Sequence, residues 1–367
     1  MSPRLRKALQ FLGFLSIGVV ILTLVYRSQA AAYEAECAAD GIPAAECSLL
    51  GKLAADLSTV DYLYLGLLLV IFMASNVFRA LRWRQLIEPL GARVRFQNAL
   101  WTLMIGYLAN LGFPRMGEVV RAGLLGRYER VAVEKVMGTV VVDRLLDLLC
   151  LGVVVAAALL TQWDTLGEAV LKLRGEGPPT GGASWRPIAI VTAAALLLGL
   201  GGYLVVTRLG HTPLVRRAVR LATGFLDGLR SLTRVRHQPL LWLNTLGIWG
   251  CYFLMAYVPF LAFPPTELLG WDAALTVFVF SALGIIIPAP GGMGSYHFMV
   301  IQALALYGIA GDDALSFANI LFLTVNLGCN LIFGTLGLIL LPILNDGRAV
   351  DLAEATEASA EPRPEHA

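Results

Sequence analysis

Six apolar segments, each long enough to cross a membrane as a helix, dominate the sequence. They lie at about 8–26, 60–78, 136–160, 187–207, 240–263 and 314–342. A helix needs roughly 20 apolar residues to span the ~30 Å hydrocarbon layer of a bilayer. The whole chain is 57% hydrophobic and 15% charged, whereas soluble domains are about 25% charged. The sequence therefore predicts an all-α polytopic membrane protein, and the absence of long charged runs argues against nucleic acid as a partner.

Two further apolar regions are interrupted near the middle by turn-forming residues. In the region 97–130 the break begins at Pro114, and in the region 272–310 it covers Pro288–Gly294. Irregular backbone at membrane depth is tolerated only where protein or a water-filled cavity satisfies its polar groups. Each region therefore predicts a re-entrant helical hairpin, which enters the bilayer, turns and leaves on the same side.

The distribution of basic residues predicts the topology. Lys and Arg concentrate in Arg4–Lys7, Arg79–Lys135 and Arg208–Arg236, and they are scarce in 27–59, 161–186 and 264–271. Cytoplasmic loops of membrane proteins are enriched in Lys and Arg. Six crossings with both hairpins re-entrant place all the basic regions on one side. We therefore expect both termini in the cytoplasm and the protein in the plasma (inner) membrane.

The order of the segments repeats along the chain. Two crossings, a hairpin and a crossing occupy about 8–160, and the same order returns at about 187–342. The first half would begin in the cytoplasm and the second outside, which predicts an inverted repeat, the architecture of many secondary transporters. We interpret 1–345 as a single transmembrane domain and 346–367 as a disordered cytoplasmic tail. A cleaved signal peptide is an alternative for the first segment, but its removal would break the repeat.

The five cysteines fall into two groups by their surroundings. Cys150, Cys251 and Cys329 lie in apolar segments and are expected to be inert core residues. Cys37 and Cys47 flank a short polar loop. They would form a disulfide if that loop faces an oxidising compartment, and the sequence leaves this open.

The strongest candidate site surrounds the first break and combines Asn110, Arg115, Glu118 and Arg121. Charged residues near membrane depth are costly unless paired or solvated, which makes them functional candidates. The helix that begins after the break also offers free N–H groups to an anion. This pattern predicts a phosphate-bearing lipid headgroup as the ligand. The alternative is that Glu118 and Arg121, three residues apart on one helix face, only lock the hairpin.

A second charged cluster, Asp143, Arg144 and Asp147, lies near the start of the third crossing. The two aspartates are four residues apart and share a helix face, so we expect them to pair with Arg115 or Arg121 at the base of a cavity. An interfacial cluster that reaches water is the alternative. Paired carboxylates also suit a metal or a proton relay, but the nearby arginines argue against a divalent metal. No metal or other cofactor is predicted.

The second break has the composition of a backbone that approaches a ligand closely. Its candidate substrate-binding residues are Pro290, Gly291, Gly292, Gly294 and His297. Glycine lets the backbone approach a ligand, and no Walker A lysine follows the turn. His297 is a candidate for binding a headgroup or a proton, and a hydrogen-bonded structural histidine is the alternative.

Basic and aromatic residues follow the second crossing. Arg79, Arg82, Trp83 and Arg84 stand directly after the apolar segment 60–78. Such residues are typical interfacial anchors, which is how we interpret them here. A role in gathering anionic lipids at the inner leaflet is the alternative.

These motifs resemble the transmembrane region of lysylphosphatidylglycerol synthases. The resembling pieces are Arg79–Arg84, Pro114–Arg121, Asp143–Asp147 and Pro288–Gly294, within about 60–345. The resemblance implies a flippase-like, lipid-translocating module with two re-entrant hairpins, often dimeric. In bifunctional members of the family this module moves aminoacylated phosphatidylglycerol between leaflets after a separate soluble domain makes it.

Two departures limit what the resemblance implies. The chain ends soon after the last crossing, so we expect no aminoacylation domain and no enzyme activity. His297 stands where the family pattern would have an acidic residue, which weakens the case for a cationic aminoacyl headgroup. We therefore expect a flippase or transporter for an anionic or phosphate-bearing lipid, aminoacylated or not, with membrane lipids and a second copy of the chain as partners. An intramembrane transferase and a non-catalytic subunit of a lipid-synthesis system are the alternatives.

Overall fold

The fold is described from a computed structural model that covers the central helices of the chain. The described ranges are 60–112, 116–162, 235–286, 295–309 and 312–345, with isolated residues between 27 and 58. The predicted crossings 8–26 and 187–207 and the predicted tail 346–367 lie outside them. So do both hairpin tips, with the candidate residues Arg115, Pro290, Gly291, Gly292 and Gly294.

All regular structure in the described ranges is helical. The helices are α1 Tyr62–Ile87, α2 Phe96–Gly112, α3 Met116–Glu129, α4 Val133–Thr161, α5 Gln238–Ala262, α6 Trp271–Ile286, α7 Ser295–Ala305, α8 Asp312–Leu321 and α9 Asn330–Ile343. A π-helical stretch, Phe322–Cys329, joins α8 and α9 into one continuous rod. The predicted all-α class is confirmed for this part of the chain.

Three helical stretches within the described ranges are long and apolar enough to cross a membrane. They are Tyr62–Leu90, Gln238–Ala262 and Asp313–Ile343. Asp61 caps the first by accepting a hydrogen bond from the backbone N–H of Leu63 at 2.9 Å. These helices correspond to the predicted crossings 60–78, 240–263 and 314–342. Helix α4, at the predicted crossing 136–160, is not among the three, and the total of six crossings stays a prediction.

The succession of helix lengths repeats along the chain. A long helix, two short antiparallel helices and a second long helix form α1–α4, and the same series recurs from α5 to α9. Corresponding helices begin 175 to 179 residues apart: Phe96 and Trp271 differ by 175, and Met116 and Ser295 by 179. A constant offset over four elements indicates two structurally equivalent halves.

Helices α2 and α3 form the first hairpin (hairpin 1), and glycines allow their backbones to touch. A Cβ atom at Gly106 would lie 2.8 Å from the carbonyl oxygen of Gly117, and one at Gly117 would collide with the carbonyl oxygen of Gly106. Near the tip, the backbone N–H of Gly117 donates to Oδ1 of Asn110 at 2.7 Å. At the open end the backbone N–H of Arg95 donates to Oε1 of Glu129 at 3.1 Å.

Helices α6 and α7 form the second hairpin (hairpin 2) with the same spacing. A Cβ atom at Gly284 would lie 2.9 Å from the carbonyl oxygen of Ser295, and the Ser295 hydroxyl donates to the carbonyl oxygen of Gly284 at 2.8 Å. This contact joins residues 11 apart, as does the Gly106–Gly117 contact. At the open end, the Tyr307 hydroxyl lies 2.8 Å from the Thr276 hydroxyl.

The open ends of the two hairpins lie at opposite ends of α4. Hairpin 1 ends at Glu129, four residues before α4 begins, whereas Gln162 directly follows α4. The Gln162 side chain donates to the carbonyl oxygen of Asp272 at 2.7 Å and accepts from the Tyr307 hydroxyl at 2.6 Å. Since α4 has 29 residues and a helix rises 1.5 Å per residue, these ends are roughly 43 Å apart. The described helices of the two hairpins therefore run in opposite directions along α4.

Direct contacts between side chains join the two long helices α1 and α5. They pack closely, since a Cβ atom at Gly247 would lie 2.8 Å from the ring of Phe78. The Asn244 side chain also donates to the Gln85 side chain at 3.0 Å.

Before α1, Cys37 and Cys47 are joined as a disulfide. The sequence alone left that pairing undecided.

Candidate functional site

Two arginines of α1 and two aspartates of α4 form a buried ion network. Arg79 contacts Asp143 at 3.1 Å and Asp147 at 2.8 Å, in each case from a guanidinium nitrogen to a carboxylate oxygen. Arg82 contacts the same two aspartates at 2.6 Å each. Asp143, Arg79 and Arg82 are buried. Charges removed from water are tolerated only when paired and hydrogen-bonded, and here each aspartate is held by both arginines.

The interpretation of 79–84 as interfacial anchors is wrong for Arg79, Arg82 and Trp83. Helix α1 continues to Ile87, beyond the predicted end of the crossing, so these side chains enter the interior. Trp83 is fully buried, and its indole N–H donates to the Thr139 hydroxyl at 3.0 Å. The apolar run ends at Phe78, but the helix continues inside the bundle, and its next residues include Arg79 and Arg82, which pair with α4.

Arg121 adds a third buried guanidinium to this network. It approaches Asp143 at 3.6 Å, and its guanidinium carbon lies 5.0 Å from the centre of the Trp83 ring, a cation–π arrangement. None of its three side-chain nitrogens has a hydrogen-bond partner among the residues that the structure describes. The predicted pairing of Asp143 with Arg121 is thus observed as a long contact, while Arg79 and Arg82 are the close partners.

A half-exposed ion pair joins hairpin 1 to α4. The Arg144 guanidinium donates to Glu118 at 2.7 Å and lies 3.7 Å from Asp147. Glu118 therefore pairs with α4, and not with Arg121 on its own helix as the alternative reading assumed. Among the described residues the group consists of four arginines and three carboxylates, which gives one surplus positive charge.

A cavity of about 490 Å³ opens beside this network. Helices from both halves of the chain line it, and both hairpins border it near their tips. The polar lining residues are Ser75, Asn76, Arg79, Tyr107, Asn110, Arg144, Asp147, Trp249, Tyr252, Ser281, Tyr296, Asn326 and Asn330. This volume falls within the roughly 300–1,000 Å³ typical of ligand-binding sites.

One side of the cavity is apolar and open. Leu148 and Leu151 of α4 and Ile285 of α6 line it, and Leu148 is 55% and Ile285 53% exposed. Cavity-lining side chains that are also exposed mark the mouth, which we call the α4–α6 mouth. It is suited to apolar chains, and on α4 its residues Leu148 and Leu151 lie one helical turn beyond Arg144 and Asp147 of the ion network.

The structure brings together most of the described candidate residues. Asn110, Arg144 and Asp147 line the cavity, while Glu118, Arg121 and Asp143 stand behind them in the ion network. His297 lies apart from this group. It is buried, and its ring centre lies 4.9 Å from that of Phe322.

Several cavity residues lie outside the predicted set. They are neutral polar or aromatic side chains, chiefly Asn76, Trp249, Tyr252, Asn326 and Asn330. Tyr252 accepts a hydrogen bond from Arg79 at 2.8 Å and so bridges α5 to the network. Asparagines inside apolar helices are a usable signal, because polar groups in membrane segments usually face the protein interior.

No group of three or more His, Cys, Asp or Glu that could hold a metal is found in the described part of the chain.

The family model of the lysylphosphatidylglycerol synthase TM region matches residues 48–341. Comparisons with curated proteins and with solved structures give no significant match. The match covers most of the chain and includes every helix described above except the last two residues of α9. The apolar helices and this match identify an integral membrane protein, and the chain belongs to the family of lysylphosphatidylglycerol synthase transmembrane regions.

Proposed function

We propose that this protein is a lipid flippase or transporter, which moves an anionic or phosphate-bearing lipid between the two leaflets. The carrying observation is a cavity that residues of both hairpins line, with Arg79 and Arg144 in its lining beside the apolar α4–α6 mouth. A lipid needs both features at once, because its headgroup is charged and its acyl chains must stay in hydrocarbon. We place the protein in the plasma membrane with both termini cytoplasmic.

Arg144 is the residue best suited to contact the headgroup. It lines the cavity and is 39% exposed, whereas Arg79 and Arg82 are almost completely buried and committed to Asp143 and Asp147. A guanidinium can pair with two phosphate oxygens at once. In this proposal the buried arginines hold the aspartates and set the surplus positive charge, and Arg144 keeps its Nε contact with Glu118 while its terminal nitrogens bind the lipid phosphate.

The opposed hairpins suggest how access could alternate. Hairpin 1 contacts the middle of α4 through Glu118 and Arg144, and Tyr307 of hairpin 2 contacts Gln162, directly after the end of α4. Loss of one contact while the other persists would open the cavity towards one side of the membrane. Movement of one repeat against the other around a central site is how many repeat-built transporters work.

The bonding of the aspartates favours transport over the transferase alternative. A general base must reach the proton that it removes, but all the carboxylate oxygens of Asp143 and Asp147 are engaged by Arg79 and Arg82. We therefore assign these carboxylates a structural role and propose that the chain has no enzyme activity of its own.

The test is a scrambling assay with the full-length protein in phosphatidylcholine vesicles. Acyl-labelled phosphatidylglycerol, phosphatidylethanolamine and phosphatidylcholine are added in trace amounts, and bleaching of the outer leaflet reports translocation. We expect phosphatidylglycerol to move fastest and Arg144→Ala to slow it by about tenfold or more, the loss of one charge-assisted hydrogen bond. Arg127→Ala is the matched control, since Arg127 is exposed on α3 away from the cavity.

The outcomes separate the candidate functions. Equal rates for wild type, Arg144→Ala and empty vesicles, with folded protein, would reject the flippase proposal in favour of a partner subunit. An equal loss of translocation rate in Arg144→Ala and Arg127→Ala would show that removal of a positive charge acts non-specifically and not through the cavity.

A further inference from the structure

The uncharged part of the cavity wall indicates which headgroups fit. Asn76 lies three residues before Arg79 and therefore about one helical turn along α1. Its amide nitrogen donates to the carbonyl oxygen of Phe72 at 2.9 Å. The amide nitrogen of Asn330 likewise donates to the carbonyl oxygen of Asn326 at 2.7 Å. Both residues line the cavity, and each keeps its side-chain carbonyl oxygen as an acceptor and one amide N–H as a donor.

Donors stand among these acceptors. The indole nitrogen of Trp249 is buried without a hydrogen-bond partner among the described residues, and Trp249 lines the cavity. A buried donor left unpaired costs roughly 1–3 kcal/mol, so such a group is normally satisfied by a ligand or by water. Asn110 accepts from Gly117 through Oδ1 at 2.7 Å, which leaves its amide N–H groups as further donors.

A wall that offers both acceptors and donors matches a group with the same dual character. A phosphate oxygen only accepts, so it gains nothing from the carbonyl oxygens of Asn76 and Asn330. Hydroxyl groups donate and accept. Ammonium groups also donate hydrogen bonds, but the surplus positive charge of the ion network disfavours a cation in the cavity. Asp147 is the single carboxylate among the described cavity residues, and it is already held by Arg79 at 2.8 Å and Arg82 at 2.6 Å.

The described lining residues therefore offer no unpaired carboxylate to a cationic headgroup. An aminoacylated headgroup would place its ammonium beside the surplus positive charge.

Building on the proposed function, we infer that the cavity selects lipids whose phosphate carries an uncharged, hydroxyl-bearing group, a polyol or a sugar, and discriminates against aminoacylated headgroups. The phosphate contacts Arg144, and the hydroxyls contact Asn76, Asn330 and Trp249. Two sources share this chemistry, a glycerol headgroup and a ring polyol. They differ in the number of hydroxyls that must be accommodated.

The decisive comparison is between phosphatidylglycerol and phosphatidylpropanol, which have the same charge and nearly the same size but differ by two hydroxyls. Binding is measured first, from the thermal unfolding midpoint of the purified protein in detergent as each lipid is titrated. Phosphatidylinositol represents the ring polyol and lysylphosphatidylglycerol the aminoacylated headgroup. We expect phosphatidylglycerol or phosphatidylinositol to bind about tenfold more tightly than phosphatidylpropanol, and lysylphosphatidylglycerol to bind more weakly than phosphatidylglycerol.

Two variants test the assigned residues. Asn330→Leu removes the polar amide while keeping the branched shape and the number of heavy atoms, and Trp249→Phe removes the buried N–H. Each should weaken phosphatidylglycerol binding more than phosphatidylpropanol binding and so reduce the preference for the hydroxylated lipid to about threefold or less. Leu246→Phe is the control for a substitution on α5, because Leu246 is exposed and does not line the cavity.

Failure of this inference and failure of the proposed function give different results. Equal binding of phosphatidylglycerol and phosphatidylpropanol, or tightest binding of lysylphosphatidylglycerol, would overturn the inference even if all of them are translocated. The expected binding order without translocation of any lipid in vesicles would support the inference and reject the flippase proposal. A preference that survives both variants would overturn the assignment of the hydroxyl contacts.

Discussion

Arg82 donates two hydrogen bonds to one carboxylate oxygen of Asp143, from Nε at 3.0 Å and from Nη2 at 2.6 Å, although the residues are 61 positions apart in the chain. Both side chains are completely buried. The contact joins α1 to α4, which carry the charged wall of the cavity. It makes the position of that wall depend on the integrity of the ion network.

Removal of Arg82 should therefore destabilise the fold. Breaking a buried ion pair by deleting one partner typically costs about 3–5 kcal/mol, because the remaining charge is left uncompensated. We expect Arg82→Met to lower the thermal unfolding midpoint in detergent clearly, and Arg82→Lys to restore only part of it, since an ammonium cannot reproduce the planar contacts. Arg93→Met, at an exposed position, serves as the control. A midpoint for Arg82→Met equal to that of the control would contradict the structural role of the network.

The close contact within hairpin 1 gives a second prediction. Gly117→Ala places a methyl group against the Gly106 carbonyl, a backbone atom that cannot move aside alone. Overpacking of this kind costs about 1–3 kcal/mol, so the unfolding midpoint should fall. Gly123→Ala on the same helix has no heavy atom within 4 Å of the new methyl group and should be neutral or up to about 1 kcal/mol stabilising. If both variants behave alike, the backbones are not in contact.

The α4–α6 mouth gives a third prediction, which concerns the rate of translocation and not stability. Leu148→Trp and Ile285→Trp add bulk where exposed side chains line the cavity, and they should slow lipid translocation in vesicles severalfold. Leu149→Trp is the matched control, because Leu149 is 41% exposed on α4 but does not line the cavity. Equal rates for Leu148→Trp and Leu149→Trp would show that lipids enter elsewhere.

The topology gives a fourth prediction. In Cys37→Ser the thiol of Cys47, which is half-exposed, is released from the disulfide. If the 27–59 loop is outside, a membrane-impermeant maleimide should label this thiol in intact cells. Arg93→Cys, in the loop between α1 and α2, should be labelled only after the cells are permeabilised. Labelling of Arg93→Cys in intact cells would reverse the assigned orientation.

The candidate site could be predicted in part from its residues. Glu118, Arg121, Asp143, Arg144 and Asp147 stood out because charges in or near apolar segments are expensive and rare. Their pairing could not be predicted. The three-residue spacing on α3 suggested that Glu118 pairs with Arg121, but in the structure Glu118 pairs with Arg144 on another helix. Side-chain partners of a helix depend on the neighbour that it packs against, which spacing along one helix does not reveal.

Local patterns determined the helical class, the approximate helix limits and the repeat. Hydropathy along a segment decides whether it can remain in hydrocarbon, and a proline or glycine break acts within a few residues. The series α1–α4 and its recurrence from α5 to α9 accordingly agree with the predicted order of segments.

Only the tertiary structure decided the role of Arg79 and Arg82 and the composition of the cavity. Basic residues after an apolar run have the same local pattern whether they face water or a carboxylate, and α4 supplies the carboxylates from more than 60 residues away. The neutral wall combines Asn76, Trp249 and Asn330 from three helices in both halves of the chain. Such a surface arises from packing between distant segments, so no window of the sequence contains it.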